Sequence, residues 1–278
     1  MNCGPASNSF ILRDTEIVPL SEPAVCLNDA AIVQGHGLFE TVKAYRGRPY
    51  ALPDHLARMS RGADALGFKA PALDEAAASI RRVLEANGLE DSPTCRIRLT
   101  LTGGVESPSL FYEASACPFH PERAKVITGP FVRNDRSLLA GFKTVSYGEN
   151  AVATRLTKAA GADEALWSNT KDELCEGTWS NVFVRLEGRW ITPPLSSGCL
   201  PGVTREKVLA LAPEVGIAIG EVPIPMGSLS GIEAAFLTSS IREIQPVVSI
   251  DGRPLAESGN ADMEKLKTVY TKLVASSL

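Results

Sequence analysis

Two ionisable residues near the middle of the chain, Lys143 and Glu176, have side chains suited to amine chemistry. Lys143 lies in the mostly apolar segment 138–147, which we interpret as strand-like. Apolar surroundings favour the neutral form of an amine, because desolvation disfavours charge. A neutral amine can attack an aldehyde and form a Schiff base. The alternative is an ordinary lysine at a strand edge, with its amine extended into water.

Glu176 follows a polar turn and precedes Gly177. A carboxylate in this position can hold a protonated ring nitrogen, or it can be an ordinary solvated glutamate of a turn. A lysine together with an acidic partner for a pyridinium is the pairing expected of a pyridoxal 5'-phosphate (PLP) site. We therefore predict PLP as the cofactor. The three histidines form no cluster in the sequence, so no metal is predicted.

The composition limits the possible partners of this protein. The chain has 278 residues and a formal net charge of −4, which suits one large or two modest domains. A slightly acidic chain has no general attraction to nucleic acid or to anionic membranes. It shows neither an apolar stretch long enough to cross a bilayer nor a signal peptide. We therefore expect neither a nucleic acid nor a membrane as a partner.

The cysteines are scattered and include no Cys-x-x-Cys pair, which predicts free thiols in a reducing compartment and hence a cytoplasmic protein. They are Cys3, Cys26, Cys95, Cys117, Cys175 and Cys199.

Hydrophobic periodicity predicts alternating strands and helices. Predicted strands lie near 10–20 and at 38–45, 96–102, 110–116, 125–127, 234–238 and 247–250, and residues 28–37 are predicted to form a loop. Helices are predicted from Pro53, at 74–87, at 149–160, from Thr204 and at the end of the chain. The helix at 149–160 is expected to bury Val152, Leu156 and Ala159. The composition of residues 117–123 is typical of a linker, so we place a domain boundary there.

A series of motifs along the chain resembles the class IV aminotransferases, the fold-type IV PLP enzymes. This family includes branched-chain aminotransferases, D-amino-acid transaminases and aminodeoxychorismate lyases. The motifs are GHGLFET (35–41), HLARM (55–59), KTVSY (143–147), GADEAL (161–166), EGTWSNVF (176–183), LPGVTR (200–205) and FLTSSIREIQPV (236–247).

The resemblance implies an α/β (α+β) fold with a small N-terminal α/β domain and a larger, β-barrel-like C-terminal α/β domain. Together with the linker composition, it predicts domains at 1–118 and 125–278 joined by a linker at 119–124. PLP is then expected between the domains, with Lys143 and Glu176 supplied by the large domain and Arg58 by the small one.

The resemblance also assigns expected roles around the cofactor. Lys143 is expected to carry PLP, Glu176 to contact the ring nitrogen and Tyr147 to contact the phenolate oxygen. Expected phosphate contacts come from Arg58, from Ser240 and from Gly202, Val203 and Thr204, and Leu200 is expected to pack on the ring. Val203 and Thr204 also begin a predicted helix, where free N–H groups favour an anion. Core packing for Tyr147 and Leu200, an N-cap for Thr204 and a surface helix charge for Arg58 are the alternatives.

The substrate residues are predicted from positions that correspond to the family's in the resemblance. Arg98 is a candidate for binding a substrate carboxylate, or it is a solvated strand residue. Lys43, His36 and Ile241 are further candidates, and a loop histidine without a substrate role is the alternative for His36.

The resemblance implies amino transfer between an amino acid and a 2-oxo acid by a homodimer. An aminodeoxychorismate lyase, forming 4-aminobenzoate and pyruvate, is the first alternative. A relative that binds PLP or serves a structural role without catalysis is the second.

Overall fold

Among the residues that the structure describes, the strands form two sheets, one of six strands and one of nine. They are seen in a computed structural model that describes residues 9–22, 25–256 and 261–278. Contacts divide the chain into two compact units. The first unit comprises the described part of Met1–Pro118 with Phe142–Ser146 and Ser277–Leu278, and the second comprises Phe119–Gly141 and Tyr147–Ser276. Helices accompany both sheets, so the prediction of an α/β fold is confirmed.

The sheet of the first unit is antiparallel in the order β2-β1-β6-β5-β3-β4. Its strands are β1 (Phe10–Arg13), β2 (Glu16–Pro19), β3 (Gly37–Tyr45), β4 (Arg48–Pro49), β5 (Cys95–Thr102) and β6 (Ser109–Ala116). β3 and β5 pair from Gly37 opposite Thr102 to Ala44 opposite Cys95. Arg98 is directly opposite Thr41, and residues opposite one another share a face. Thr41 and Phe39 are two residues apart on β3 and point to the same side, so Phe39 and Arg98 belong to one side of the sheet.

Three helices accompany this sheet: α1 (Ala30–Gln34), α2 (Leu52–Leu66) and α3 (Leu73–Ala86). Leu56 of α2 and Ile80 of α3 pack in one buried cluster with Leu38, Ile97 and Leu99. This cluster is the hydrophobic core of the first unit, and alternate residues of β3 and β5 point into it. The opposite side of β5 carries the polar side chains Arg96, Arg98 and Thr100, as the alternation in β5 predicts.

The second unit contains a mixed sheet in the order β12-β11-β10-β13-β14-β7-β8-β9, with β15 beside β14. Its strands are β7 (Ala124–Arg133), β8 (Glu164–Asn169), β9 (Leu174–Gly177), β10 (Asn181–Leu186), β11 (Arg189–Thr192), β12 (Ile219–Glu221), β13 (Ala234–Ser239), β14 (Glu243–Ile250) and β15 (Arg253–Pro254). β7 runs parallel to both of its neighbours, β14 and β8. Leu166, Val182, Leu237 and Val247 belong to its buried core.

The helices of the second unit are α4 (Gly148–Ala159), α5 (Val203–Leu211) and α6 (Ala261–Ser276). In α6 the predicted apolar stripe is confirmed, with Leu266, Tyr270 and Val274 buried. Across the described ranges, no helix combines the length and hydropathy that a membrane span requires. The cysteines of the described residues are free thiols, and Cys3 lies outside those residues.

The predicted burial of α4 is wrong. Val152 and Leu156 are exposed, and the buried residues of the helix are Asn150, Ala153 and Thr157. Burial of these polar side chains is possible because each finds a hydrogen-bond partner. Asn150 Nδ2 donates to the Thr178 carbonyl at 2.6 Å, and Thr157 Oγ1 donates to the Ala153 carbonyl at 2.8 Å.

The segment around Lys143 also differs from the prediction. It is not a strand of the second unit, because Phe142–Ser146 belongs to the first unit. Two backbone hydrogen bonds explain this placement, since Phe39 N donates to Lys143 O and Val145 N donates to Gly37 O, both at 2.9 Å. Residues 119–124 likewise belong to the second unit and do not stand apart as a linker.

The predicted loop at 28–37 contains a short helix, α1. Asp29 is its N-cap and accepts a hydrogen bond from Ala31 N at 2.8 Å. Gly35 ends the helix in the left-handed conformation, with φ at 68°. A capping aspartate and a terminal glycine are ordinary helix signals, but a helix of five residues has too little periodicity to be predicted.

Candidate active site

In the first unit, Lys143 lies beside the buried ring of Phe39. The amine Nζ is 4.4 Å from the centre of that ring, and the guanidinium carbon of Arg98 is 3.9 Å from the same centre. Arg98 Nε also donates to Thr100 Oγ1 at 3.2 Å. Aromatic faces attract cations, so Phe39 brings together the predicted cofactor lysine and a predicted substrate arginine.

Arg58, a predicted phosphate contact, is bound to a buried carboxylate. Its Nε donates to Glu40 Oε1 at 2.8 Å, and its Nη2 donates to Glu40 Oε2 at 2.6 Å. His55 Nδ1 lies 2.7 Å from Glu40 Oε2. All three side chains are buried. The Nε–Nη2 edge of Arg58 is therefore committed to Glu40, and a grip on two phosphate oxygens by that edge is not available.

The ionisation of this cluster follows from its contacts. Burial alone would raise the pKa of Glu40, but the charge and hydrogen bonds of Arg58 and the hydrogen bond from His55 hold that pKa well below its usual value. The pKa of His55 is lowered, chiefly by burial and also by the charges of Arg58 and Lys143, although Glu40 opposes the shift. Glu40 is thus a carboxylate and His55 a neutral ring whose Nδ1–H donates to it.

Two other substrate candidates of the first unit make contacts elsewhere. The Lys43 amine lies 5.1 Å from the centre of the Tyr45 ring. His36 Nε2 is 3.1 Å from the Leu66 carbonyl oxygen at the end of α2, and its ring centre is 4.5 Å from that of Phe68. The contacts of His36 match the interpretation of a loop histidine, and a substrate role for either residue stays a prediction.

In the second unit, Glu176 lies on β9, where its backbone pairs with Trp167 of β8. Its carboxylate is held from two sides. Leu200 N donates to Glu176 Oε2 at 2.9 Å, and Arg133 Nε is 3.2 Å from Glu176 Oε1. The structure thus brings together Glu176 and Leu200, two residues that the sequence predicts near the cofactor ring.

Tyr147 of the second unit packs against an exposed tryptophan. The centres of the Tyr147 and Trp179 rings are 5.4 Å apart, and Trp179 Nε1 donates to Thr154 Oγ1 at 2.8 Å. Tyr147 immediately precedes α4 as its N-cap residue. The remaining predicted contacts, Ser240 and Ile241, lie between β13 and β14.

The predicted phosphate contacts Gly202, Val203 and Thr204 form the start of α5. Gly202 is the N-cap, no side chain caps the helix, and the first N–H groups of a helix have no partner within it. Asn181 Nδ2 donates to the Leu200 carbonyl at 2.8 Å, which fixes the approach to the helix.

A buried hydroxyl lies close to this helix start. Thr238 is directly opposite Asn181 in the pairing of β10 with β13. Its Oγ1 is buried and has no hydrogen-bond partner in the part of the chain that the structure describes. A Cβ at Gly202 would lie 2.0 Å from Asn181 Oδ1, so only glycine permits this close approach of the backbone.

Sequence reasoning missed several residues of these clusters, among them Phe39 beside Lys143. Glu40 and Arg133 face Arg58 and Glu176 from other elements, and Trp179 packs on Tyr147. Glu40 and Trp179 lie inside the motifs GHGLFET and EGTWSNVF, which is the only signal that could have found them. Arg133 lies outside every motif.

Comparison with known proteins supports the resemblance to class IV aminotransferases. The family model described as Amino-transferase class IV matches residues 37–250. The chain is 26% identical to the D-alanine aminotransferase of Bacillus licheniformis over 281 residues, covering 96% of this chain and 97% of that protein.

Solved structures give the same result. The branched-chain aminotransferase from Thermoproteus uzoniensis with norvaline is 26% identical, with a TM-score of 0.86 over 97% of this chain and 95% of that one. The fold IV-transaminase from Curtobacterium pusillum is also 26% identical. Its TM-score is 0.82, over 96% of this chain and 99% of that one.

The buried Glu40 cluster predicts a pH-dependent loss of stability. Glu40→Gln leaves the buried Arg58 without its counter-charge, which we expect to lower the free energy of unfolding by about 3 to 5 kcal/mol at pH 7. The pKa of Glu40 is lower in the folded state than the ordinary glutamate value of about 4.3. The stabilisation is therefore complete above that pH and is lost as the pH falls below it.

Denaturant titrations of the wild type and the variant between pH 7 and pH 3 measure this difference. Glu113→Gln is the matched control, because it removes a half-exposed ion pair with Arg96 in the same sheet and should cost at most about 1 kcal/mol. A Glu40→Gln deficit that stayed constant down to pH 3 would contradict the assignment of Glu40 as the buried carboxylate.

Proposed function

Since the chain belongs to the class IV aminotransferase family, we propose that Lys143 is the lysine that binds PLP in this enzyme. Class IV aminotransferases are PLP enzymes that act on amino acids and 2-oxo acids. The observation that carries the proposal is the placement of the Lys143 amine and the Arg98 guanidinium on the same ring, that of Phe39. The amine can add to an aldehyde and form an imine with loss of water. The guanidinium can bind a carboxylate.

The chemistry of the second unit fits a phosphorylated pyridine. Glu176 offers a carboxylate to a protonated ring nitrogen, and Leu200 is tied to that carboxylate through its backbone N–H. The uncapped start of α5 at Val203 and Thr204 offers N–H donors to a phosphate. The unpartnered hydroxyl of Thr238 is a further donor that an anion would satisfy. When bound, PLP supplies the aldehyde and a ring that accepts electrons from the substrate Cα.

The residues of this chain then have defined tasks. Lys143, once the substrate amine has displaced it from the cofactor, would take the proton from the substrate Cα as a general base. Glu176 accepts a hydrogen bond from the protonated ring nitrogen. Arg58 contributes positive charge for the phosphate, held in a fixed orientation by Glu40. Arg98 binds a substrate carboxylate through its guanidinium group.

We also infer that the protein is a homodimer. Val152 and Leu156 of α4 and the indole of Trp179 are exposed apolar groups of the second unit, and Ile32 and Val33 of α1 are exposed in the first. These side chains are available to a partner, and apolar surface that forms a contiguous patch marks an interaction site. A solution mass equal to a single chain, measured by light scattering, would contradict this inference.

The activity itself is tested with a panel of amino acids. We expect addition of the correct amino acid to the PLP-loaded enzyme to replace the absorbance of the aldehyde form with that of the amine form. A 2-oxo acid should restore the original spectrum. Release of pyruvate from aminodeoxychorismate without any oxo-acid acceptor would instead indicate the lyase. A colourless protein that does not take up PLP would contradict both.

Arg98 is tested by a matched pair of variants. Arg98→Leu removes a charged contact to the substrate carboxylate, worth about 1.5 to 3 kcal/mol, so KM for the amino acid should rise about tenfold to a hundredfold. KM for the corresponding amine, which lacks the carboxylate, should be unchanged. Arg96→Leu, on the same face of β5 but paired with Glu113, is the control and should change neither. An equal effect of Arg98→Leu on both substrates would refute the assignment.

A further inference from the structure

Arg133, at the end of β7, lies directly against the carboxylate of Glu176. Its Nε is 3.2 Å from Glu176 Oε1. The Nε–H does not form an aligned hydrogen bond, so the interaction is a charge contact. The two side chains are only 19% and 12% exposed, and solvent therefore screens the charges incompletely. The expected tasks of the other site residues make no use of this arginine.

Several contacts hold the guanidinium of Arg133 in place. Its central carbon lies 4.3 Å from the centre of the Trp167 ring, and Nη1 donates to Asn150 Oδ1 at 3.5 Å. Glu149 Oε2 is 3.8 Å from the same nitrogen. Trp167 and Asn150 are themselves fixed, because both donate to Thr178, at 3.0 and 2.6 Å. Arg133 is therefore positioned before any ligand binds.

The carboxylate of Glu176 is oriented by the same arrangement. Trp167 and Glu176 are paired across β8 and β9, so their side chains lie on one face of the sheet. Arg133 packs on the ring of Trp167 and reaches Oε1, while Leu200 N donates to Oε2. Each oxygen thus faces a separate positive or donor group.

The cation has a defined electrostatic effect on a proton shared by Glu176 and a ring nitrogen. Partial burial alone disfavours the charged carboxylate and would move the proton to Glu176. A guanidinium in contact with the carboxylate has the opposite effect, because it stabilises the anion. The proton then remains on the nitrogen, and a cationic ring accepts electrons better than a neutral one.

We propose that Arg133 is a positioning residue that orients Glu176, keeps it ionised, and thereby keeps the proton on the ring nitrogen of bound PLP. This inference rests on the proposed function, because a bound pyridine is what gives Glu176 a proton to share. It assigns a task to an arginine that lies outside every family-like motif of the sequence.

The test uses holoenzyme loaded with PLP that carries nitrogen-15 in its ring. The nitrogen chemical shift distinguishes a protonated from a neutral pyridine. We expect a protonated ring in the wild type and in Arg133→Lys, which retains the charge. Arg133→Met should shift the signal towards the neutral ring. Arg136→Met, which removes an exposed arginine three residues away, is the matched control and should resemble the wild type.

A second measurement separates this effect from a general loss of structure. The amino-acid half-reaction is followed with PLP and with a deaza analogue in which carbon replaces the ring nitrogen. With PLP, Arg133→Met should be slower than the wild type by about tenfold or more. A tenfold change corresponds to a difference of about one pKa unit at the ring nitrogen. With the analogue, the difference should vanish. Arg133→Gln replaces the methionine variant should that variant fail to fold.

The outcomes are distinguishable. A wild type that does not bind PLP overturns the proposed function and this inference with it. A wild type with a protonated ring and an Arg133→Met variant with the same nitrogen shift overturns the inference alone. A rate loss that persists with the deaza analogue also overturns it, because such a loss does not act through the ring nitrogen.

Discussion

The position of Lys143 depends on a short backbone pairing between residues 143–145 and the beginning of β3. β4 pairs with β3 at Ala44 and Tyr45, so the edge at residues 37–39 is open to another segment. Lys143 and Val145 fill it with two hydrogen bonds of 2.9 Å. An open strand edge favours such pairing, because unpaired backbone groups are costly when buried. The lysine is thereby fixed to the first unit although it follows a strand of the second.

This pairing explains the glycine that begins β3. A Cβ at Gly37 would lie 2.8 Å from the Leu101 carbonyl oxygen and 3.2 Å from Val145 Cγ2. A larger residue would force the returning segment away from β3 and would move the lysine with it. The Phe39 ring lies two residues further along the strand, where it contacts the Lys143 amine. Backbone pairing and the aromatic contact together determine where the amine lies.

In each unit a residue that the sequence predicts for the site has a fixed counter-charge. Glu40 orients Arg58 in the first unit, and Arg133 contacts Glu176 in the second. A buried carboxylate without such a partner would lose its charge. These ion pairs cost desolvation energy and are therefore weak evidence for stability. Their clearest effect in the structure is to hold the side chains in fixed orientations.

Much of this architecture could be predicted from the sequence. Strong alternation identified β5, and an apolar stripe identified α6, because in both cases burial follows a simple period. The burial of α4 differs from its prediction because the helix buries Asn150 and Thr157 through specific hydrogen bonds, which no hydrophobic pattern reveals. The motif residues Lys143 and Glu176 could be found, whereas Arg133 meets Glu176 only through the pairing of β7, β8 and β9. Contacts between distant segments require the tertiary fold.

Borohydride reduction followed by peptide mapping tests the identity of the reactive amine most directly. The PLP-loaded protein is reduced, digested and analysed by mass spectrometry. The account predicts a phosphopyridoxyl group on the peptide containing Lys143, loss of the visible absorbance, and no modification of Lys43. A label on any other lysine, or bound PLP that leaves Lys143 unmodified, would contradict it.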